Sequence, residues 1–235
     1  MHIEVLADAN TVARAAAALV AADARSGVAA RGCFTMAVSG GQTPWLMLRA
    51  LAGEDVPWSG MQIFQVDERV APDGDPDRNL THLHESLLEH APIAVEQIHP
   101  MPVECTDLDA AASRYASILR QIAGSPPMLD LVHLGLGPDG HTASLVPGDP
   151  SLDVIEADVA LAGPYQGRRR MTLTYPTLDR ARRVMWLVTG SEKAEMLARL
   201  RNRDPSIPAG RVNQDNAIVF ADQAAADHVE SMRAT

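Results

Sequence analysis

The largely apolar run Leu129 to Leu134 is cut short by Gly135-Leu136-Gly137-Pro138-Asp139-Gly140-His141, and no other feature constrains the fold as much. A run of that length reads as a buried strand, and three glycines and a proline end it in a tight loop. The loop carries an acid and an imidazole two residues apart, with the hydroxyls of Thr142 and Ser144 just behind. Open α/β sheets place their chemistry at such strand ends.

Strand-like and helix-like segments alternate along the whole chain. Ile3 to Leu6, Cys33 to Ser39, Gln62 to Val66, Leu129 to Leu134, Met171 to Thr174, Val184 to Thr189 and Ile218 to Ala221 read as strands. Asn10 to Ser26 is alanine-rich and helical, with Asn10 or Thr11 as its cap. Thr43-Pro44 opens a second helix with proline at its favoured first position. Leu80 to Glu89, the amphipathic Asp107 to Ala123, Ser191 to Arg201 (capped by Ser191) and a C-terminal segment from about Asp222 complete the helices. This alternation predicts a single α/β domain spanning residues 1–235, with a mostly parallel, Rossmann-like sheet covered by helices on both faces. The segments Val70 to Arg78 and Arg203 to Gly210 are rich in Pro, Asp and Gly and read as loops.

With 46% hydrophobic residues in 235, the chain can bury a sizeable core. A formal net charge of -10 argues against nucleic acid or anionic membranes as partners, so any anionic ligand needs a local concentration of positive charge. No stretch approaches the roughly 18 uninterrupted apolar residues of a spanning helix. The start Met1-His2-Ile3-Glu4 lacks the basic-then-apolar pattern of a signal peptide. Cys33 and Cys105 form neither a Cys-x-x-Cys pair nor a metal spacing. These features together predict a cytoplasmic protein with reduced thiols and no metal.

Three loops follow strands and carry polar groups. Ser39-Gly40-Gly41-Gln42-Thr43 combines free backbone amides with a helix start, which suits an anion cradle as well as a plain turn. It contains neither a Gly-x-x-x-x-Gly-Lys nor a Gly-x-Gly-x-x-Gly motif, so nucleotide cofactors are not indicated. Asp67-Glu68-Arg69 is either a solvated charge cluster or part of a site, and Asn79 closes that loop. In Asp139-Gly140-His141 the glycine lets both side chains converge. An imidazole titrates near neutral pH and can take a proton from water, and a carboxylate can fix its tautomer. Arg170, leading into a strand, and Lys193, opening a helix against its dipole, are further anion-binding candidates. His133 reads as a core histidine, and His82, His84 and His90 as surface ones.

Taken together, Ser39-Gly40-Gly41-Gln42-Thr43-Pro44, Asp67-Glu68-Arg69 with Asn79, Gly135 to Pro147, Arg170-Met171-Thr172-Leu173-Thr174 and Gly190-Ser191-Glu192-Lys193-Ala194 resemble the 6-phosphogluconolactonase family, which is akin to the glucosamine-6-phosphate isomerases. The match runs in order over nearly the whole chain. Four positions depart from the family pattern: Arg78 for a serine, His133 for an aliphatic residue, Val146 for phenylalanine and Gly210 for serine. The resemblance implies hydrolysis of 6-phosphoglucono-1,5-lactone without cofactor, with His141 as general base and Asp139 orienting it. It also implies that the Ser39 to Thr43 amides hold the substrate phosphate with Arg69, Arg170 and Lys193, with Asp67 and Asn79 nearby. The implied partner is a small sugar phosphate, and the implied assembly a monomer or small homo-oligomer. Two rivals follow from the same residues. One is an amino-sugar-phosphate isomerase or deaminase with Asp67 as base, against which the absence of an acid after His141 counts. The other is a non-catalytic sugar-phosphate sensor, which could dispense with Asp139 or His141.

Overall fold

The computed structural model describes residues 1–226; the expected C-terminal helix lies, past its first residues, outside them. Seven strands form one sheet in the order β1-β10-β9-β6-β2-β3-β5, and every neighbouring pair is parallel. They are β1 (His2–Leu6), β2 (Phe34–Val38), β3 (Met61–Gln65), β5 (Ile98–His99), β6 (Leu131–Leu134), β9 (Val184–Val188) and β10 (Ala217–Asp222). A second, antiparallel sheet has the order β4-β8-β7, from β4 (Asp67–Arg69), β7 (Val159–Tyr165) and β8 (Arg168–Leu173).

Side chains alternate across the main sheet, so each strand feeds two cores. Phe34, Met36 and Val38 of β2 pack with α1 (Ala9–Arg31) and α2 (Gln42–Leu51), while Ala37 faces the other way. On that second face Phe64 and Trp186 meet Tyr115 of α4 (Leu108–Ala123), Leu178 of α5 (Tyr175–Asp179), Leu197 of α6 (Ala194–Arg201) and the inner side of β8. Ala13, Ala16, Ala17, Ala21 and Ala24 form the buried stripe of α1; small side chains let this helix lie close to its neighbours.

Several sequence expectations shift. Helix α1 is capped by Asp8, whose carboxylate accepts from Thr11 N at 2.7 Å, rather than by Asn10 or Thr11. It continues past the Ser26-Gly27 turn signal because Gly27 is a buried packing position. The stretch read as one helix from Leu80 is α3 (Asn79–Leu83) followed by a π-type turn, His84–Leu88. Ser191 makes no side-chain cap bond; a 3₁₀ turn, Ser191–Lys193, precedes α6. Asp67-Glu68-Arg69 is a strand rather than a loop, and the Met171 strand begins at Arg168 and belongs to the second sheet. Both cysteines are free, and no helix among the described residues is long and apolar enough to cross a membrane.

Candidate active site

Strands β2 and β6 are neighbours, but the chain builds outward from them in opposite directions: β3 and β5 beyond β2, and β9, β10 and β1 beyond β6. The loops at their C-terminal ends therefore part, and the gap is where open α/β sheets hold ligands. A cleft of about 360 Å³ opens there. Ser39, Gly40, Gly41, Gln42, Thr43, Asp67, Arg69, Asn79, His141, Arg170 and Lys193 all line it. Asp139, the remaining residue expected at the site, stands behind the imidazole. Among the described residues no cluster of His, Cys, Asp or Glu is arranged to hold a metal ion.

The His141 loop is a tight turn, closed by Gly137 N to His141 O at 2.8 Å and Gly140 N to Gly137 O at 3.0 Å. Only glycine fits at 137, because a Cβ there would stand 2.0 Å from His141 Nδ1. His141 Nδ1 lies 2.5 Å from Asp139 Oδ1, which also accepts the His141 backbone N–H at 3.1 Å. With Nδ1–H given to the carboxylate, Nε2 keeps its lone pair. Burial raises the Asp139 carboxyl, but bonds from His141 and Tyr165 outweigh it and hold it below the ordinary carboxylate value. The pair is thus a carboxylate and an imidazole with a fixed tautomer.

The cationic side of the cleft comes from the second sheet. Arg69 and Arg170 stand directly opposite each other across the β4–β8 pair. Like charges in that position repel. Burial and the neighbouring Arg69 pull the Arg170 guanidinium below its usual value, opposed by Asp67. Both Nε atoms are buried without a partner. Lys193 and Glu192 line the same cleft.

Asp67 is tied down: Ser144 Oγ donates to its Oδ2 at 2.6 Å, Asn79 Nδ2 reaches Oδ1 at 3.3 Å, and Arg170 Nη1 lies 4.0 Å away. The hydroxyl of Ser144, close behind His141 in sequence, therefore aims Asp67. Gly40 admits Asn79, since a Cβ at 40 would meet Asn79 Oδ1 at 1.9 Å.

The expected cradle of amides needs one correction. The Ser39 N–H is not turned to the cleft; it donates to His133 Nδ1 at 3.3 Å, below the floor. The Gln42 and Thr43 amides, in the first turn of α2, have no acceptor within the helix, and those of Gly40 and Gly41 precede them in the same loop. The Thr43 hydroxyl meets Thr189 Oγ1 at 2.6 Å.

Two of the departures from the family pattern have local reasons. Arg78 is buried and compensates Glu68, which is wholly enclosed. Its Nε lies 3.1 Å from Glu68 Oε2 as an ion pair, and its Nη1 donates to Glu104 Oε1 at 2.6 Å and Ala71 O at 3.1 Å. Glu68 in turn accepts the backbone N–H groups of Arg69, Asn79 and Leu80. Gly210 sits where a Cβ would lie 2.0 Å from Asp204 O, so a serine there would need the turn rebuilt. Thr189, Glu192 and Tyr165 were not anticipated. Thr189 immediately follows β9, so the strand-end rule reaches it; Tyr165 follows Gly163-Pro164, where no strand was expected.

A doubly wound α/β protein whose switch-point crevice holds a carboxylate-oriented imidazole and clustered cations is suited to general-base chemistry on a small anion. The chain belongs to the family described as glucosamine-6-phosphate isomerases/6-phosphogluconolactonase, whose model matches residues 7–220. It is 36% identical over 203 residues to a 6-phosphogluconolactonase of Synechocystis sp., covering 85% of this chain and 84% of that one. Against the 6-phosphogluconolactonase of Mycobacterium tuberculosis the identity is 36% over 243 residues, covering 97% and 98%. The solved 6-phosphogluconolactonase of Thermotoga maritima is similar at TM-score 0.84 and 25% identity, over 94% of this chain and 98% of that chain. A monomeric glucosamine-6-phosphate deaminase shares the fold at TM-score 0.85 and 17% identity, over 97% and 100%.

Proposed function

We propose that this chain hydrolyses 6-phospho-D-glucono-1,5-lactone to 6-phospho-D-gluconate, in the oxidative branch of the pentose phosphate pathway. The observation that carries the reading is His141, held by Asp139, lining the same cleft as Arg69, Arg170 and Lys193. His141 Nε2 takes a proton from a water as that water attacks the lactone carbonyl. The tetrahedral intermediate collapses, the ring C–O bond breaks, and the imidazolium returns its proton to the departing ring oxygen. Asp139 stays ionised and steadies the imidazolium. The phosphate bridges Arg69 and Arg170, with Lys193 and the first-turn amides of α2 completing its shell. A volume of about 360 Å³ lies within the roughly 300–1,000 Å³ range of small-molecule sites. The steps call on no metal or nucleotide.

Asp67 argues against the isomerase or deaminase reading, because its carboxylate is committed to Ser144 and Asn79. The presence of both Asp139 and His141 argues against a mere sensor. We further place the enzyme in the cytoplasm, as a single domain acting as a monomer or small homo-oligomer.

The test is lactone turnover at neutral pH, corrected for spontaneous hydrolysis. The wild type accelerates it, and His141→Ala loses ~10²–10⁴-fold while still binding 6-phosphogluconate. Turnover by His141→Ala at the wild-type rate refutes the assigned base. Ammonia release from glucosamine-6-phosphate without lactone turnover refutes the reading as a whole.

A further inference from the structure

We propose that Tyr165 is a positioning residue for the Asp139–His141 pair, holding the carboxylate so that the imidazole presents Nε2 to the cleft; this rests on the lactonase reading above. Asp139 and His141 sit on a surface loop, with side chains 35% and 20% exposed. A carboxylate in that setting can rotate, and the imidazole bonded to it would follow. One of its oxygens, Oδ1, is taken by His141. The other, Oδ2, accepts the Tyr165 hydroxyl at 3.1 Å, so both oxygens are fixed. The hydroxyl also lies 3.4 Å from His141 Nδ1, and the two rings meet edge-on with centroids 5.1 Å apart.

Tyr165 is itself held from outside the loop it braces. It ends β7, paired with Arg168 across the hairpin turn Gln166-Gly167, where both turn residues have positive φ (52° and 79°). The Arg170 guanidinium lies over its ring, 5.1 Å from the centroid, and Arg170 Nη2 donates to the Tyr165 carbonyl at 3.4 Å. One side chain thus touches the proposed base pair on one side and the proposed phosphate arm on the other. Burial and the adjacent Asp139 carboxylate push the phenol above its ordinary value, so it remains a donor at working pH.

Tyr165→Phe keeps the ring and its contact with Arg170 and removes only the hydroxyl. The expected result is about a tenfold fall in kcat, the effect of one hydrogen bond to a charged group, with KM changed by less than about twofold. The hydroxyl draws carboxylate charge away from the imidazole. Its loss leaves that charge to stabilise the imidazolium, so the acidic limb of the kcat/KM profile moves to higher pH. In an Asp139→Asn background the same substitution has little further effect, because the group it acts through is gone. A kcat and pH profile within about twofold of wild type overturns the assignment, as does an equal loss in both backgrounds. His141→Ala in the same assay separates the two ideas. If His141→Ala is inactive and Tyr165→Phe is fully active, Tyr165 alone is misassigned; if His141→Ala is fully active, the lactonase mechanism falls first.

Discussion

His133 shows how one residue can tie stability to pH. It lies fully buried on β6, where its Nδ1 accepts the Ser39 N–H and its Nε2 has no partner. Burial lowers its pKa from 6.5 to about 3. Between those values the unfolded chain binds a proton that the folded chain refuses, so stability falls as pH drops from about 6.5 towards 3. His133→Leu removes this dependence. Urea titrations at several pH values in that window should give a wild-type curve steeper than the variant's, with a difference on the order of a few kcal/mol. Parallel curves would show that the histidine is protonated in the folded state. At this scale the site was largely legible: acids, imidazole and guanidinium groups announce themselves by type. Which way they turn did not. The Ser39 amide faces inward, and Ser144 serves Asp67, because neighbours remote in sequence decide those bonds.

At the scale of elements, the second sheet is the part that periodicity did not reveal. Strand β7 contains Gly163-Pro164 and an irregular register between Ala162 and Tyr165, features that suppress a strand reading. Strand β8 opens with three arginines, which suggest a solvated loop until pairing with β4 sends only Arg170 inward and leaves Arg168 to Asp75 and Asp77. The connection from β4 to α3 rests on the buried Arg78–Glu68 pair, because Glu68 holds the amides of Asn79 and Leu80. Burial lowers the Arg78 guanidinium, yet Glu104 and Glu68 outweigh it and raise it overall. Arg78→Met strands the Glu68 charge in the interior and should destabilise the fold by about 3–5 kcal/mol. Chemical denaturation measures this; a loss below about 1 kcal/mol would mean that water reaches Glu68.

For the whole molecule, electrostatics and ligand linkage matter most. A net charge of -10 repels a dianionic sugar phosphate at long range, but that field is screened beyond about 8–10 Å in physiological salt. In the proposed reading, recognition depends on the local guanidinium pair and Lys193, which line the cleft. In that reading the bound phosphate offsets the repulsion between Arg69 and Arg170, so the ligand stabilises the fold. At a hundredfold excess over Kd, 6-phosphogluconate should add about 2.7 kcal/mol and raise Tm by about 5–10 °C. Gluconate, lacking the phosphate, should leave Tm unmoved in the same thermal scan. An equal shift with both would mean that the cations do not select the phosphate.

Local composition and periodicity were enough to determine the parallel α/β architecture, the strand ends that line the cleft and the residue types there, since burial pattern and turn chemistry are written in neighbouring residues. The pairing of β4 with β8, the facing of Arg69 by Arg170 and the reach of Tyr165 to Asp139 were decided only by tertiary structure. Each of these joins segments tens of residues apart, and pairing across that distance depends on which surfaces the folded core brings together.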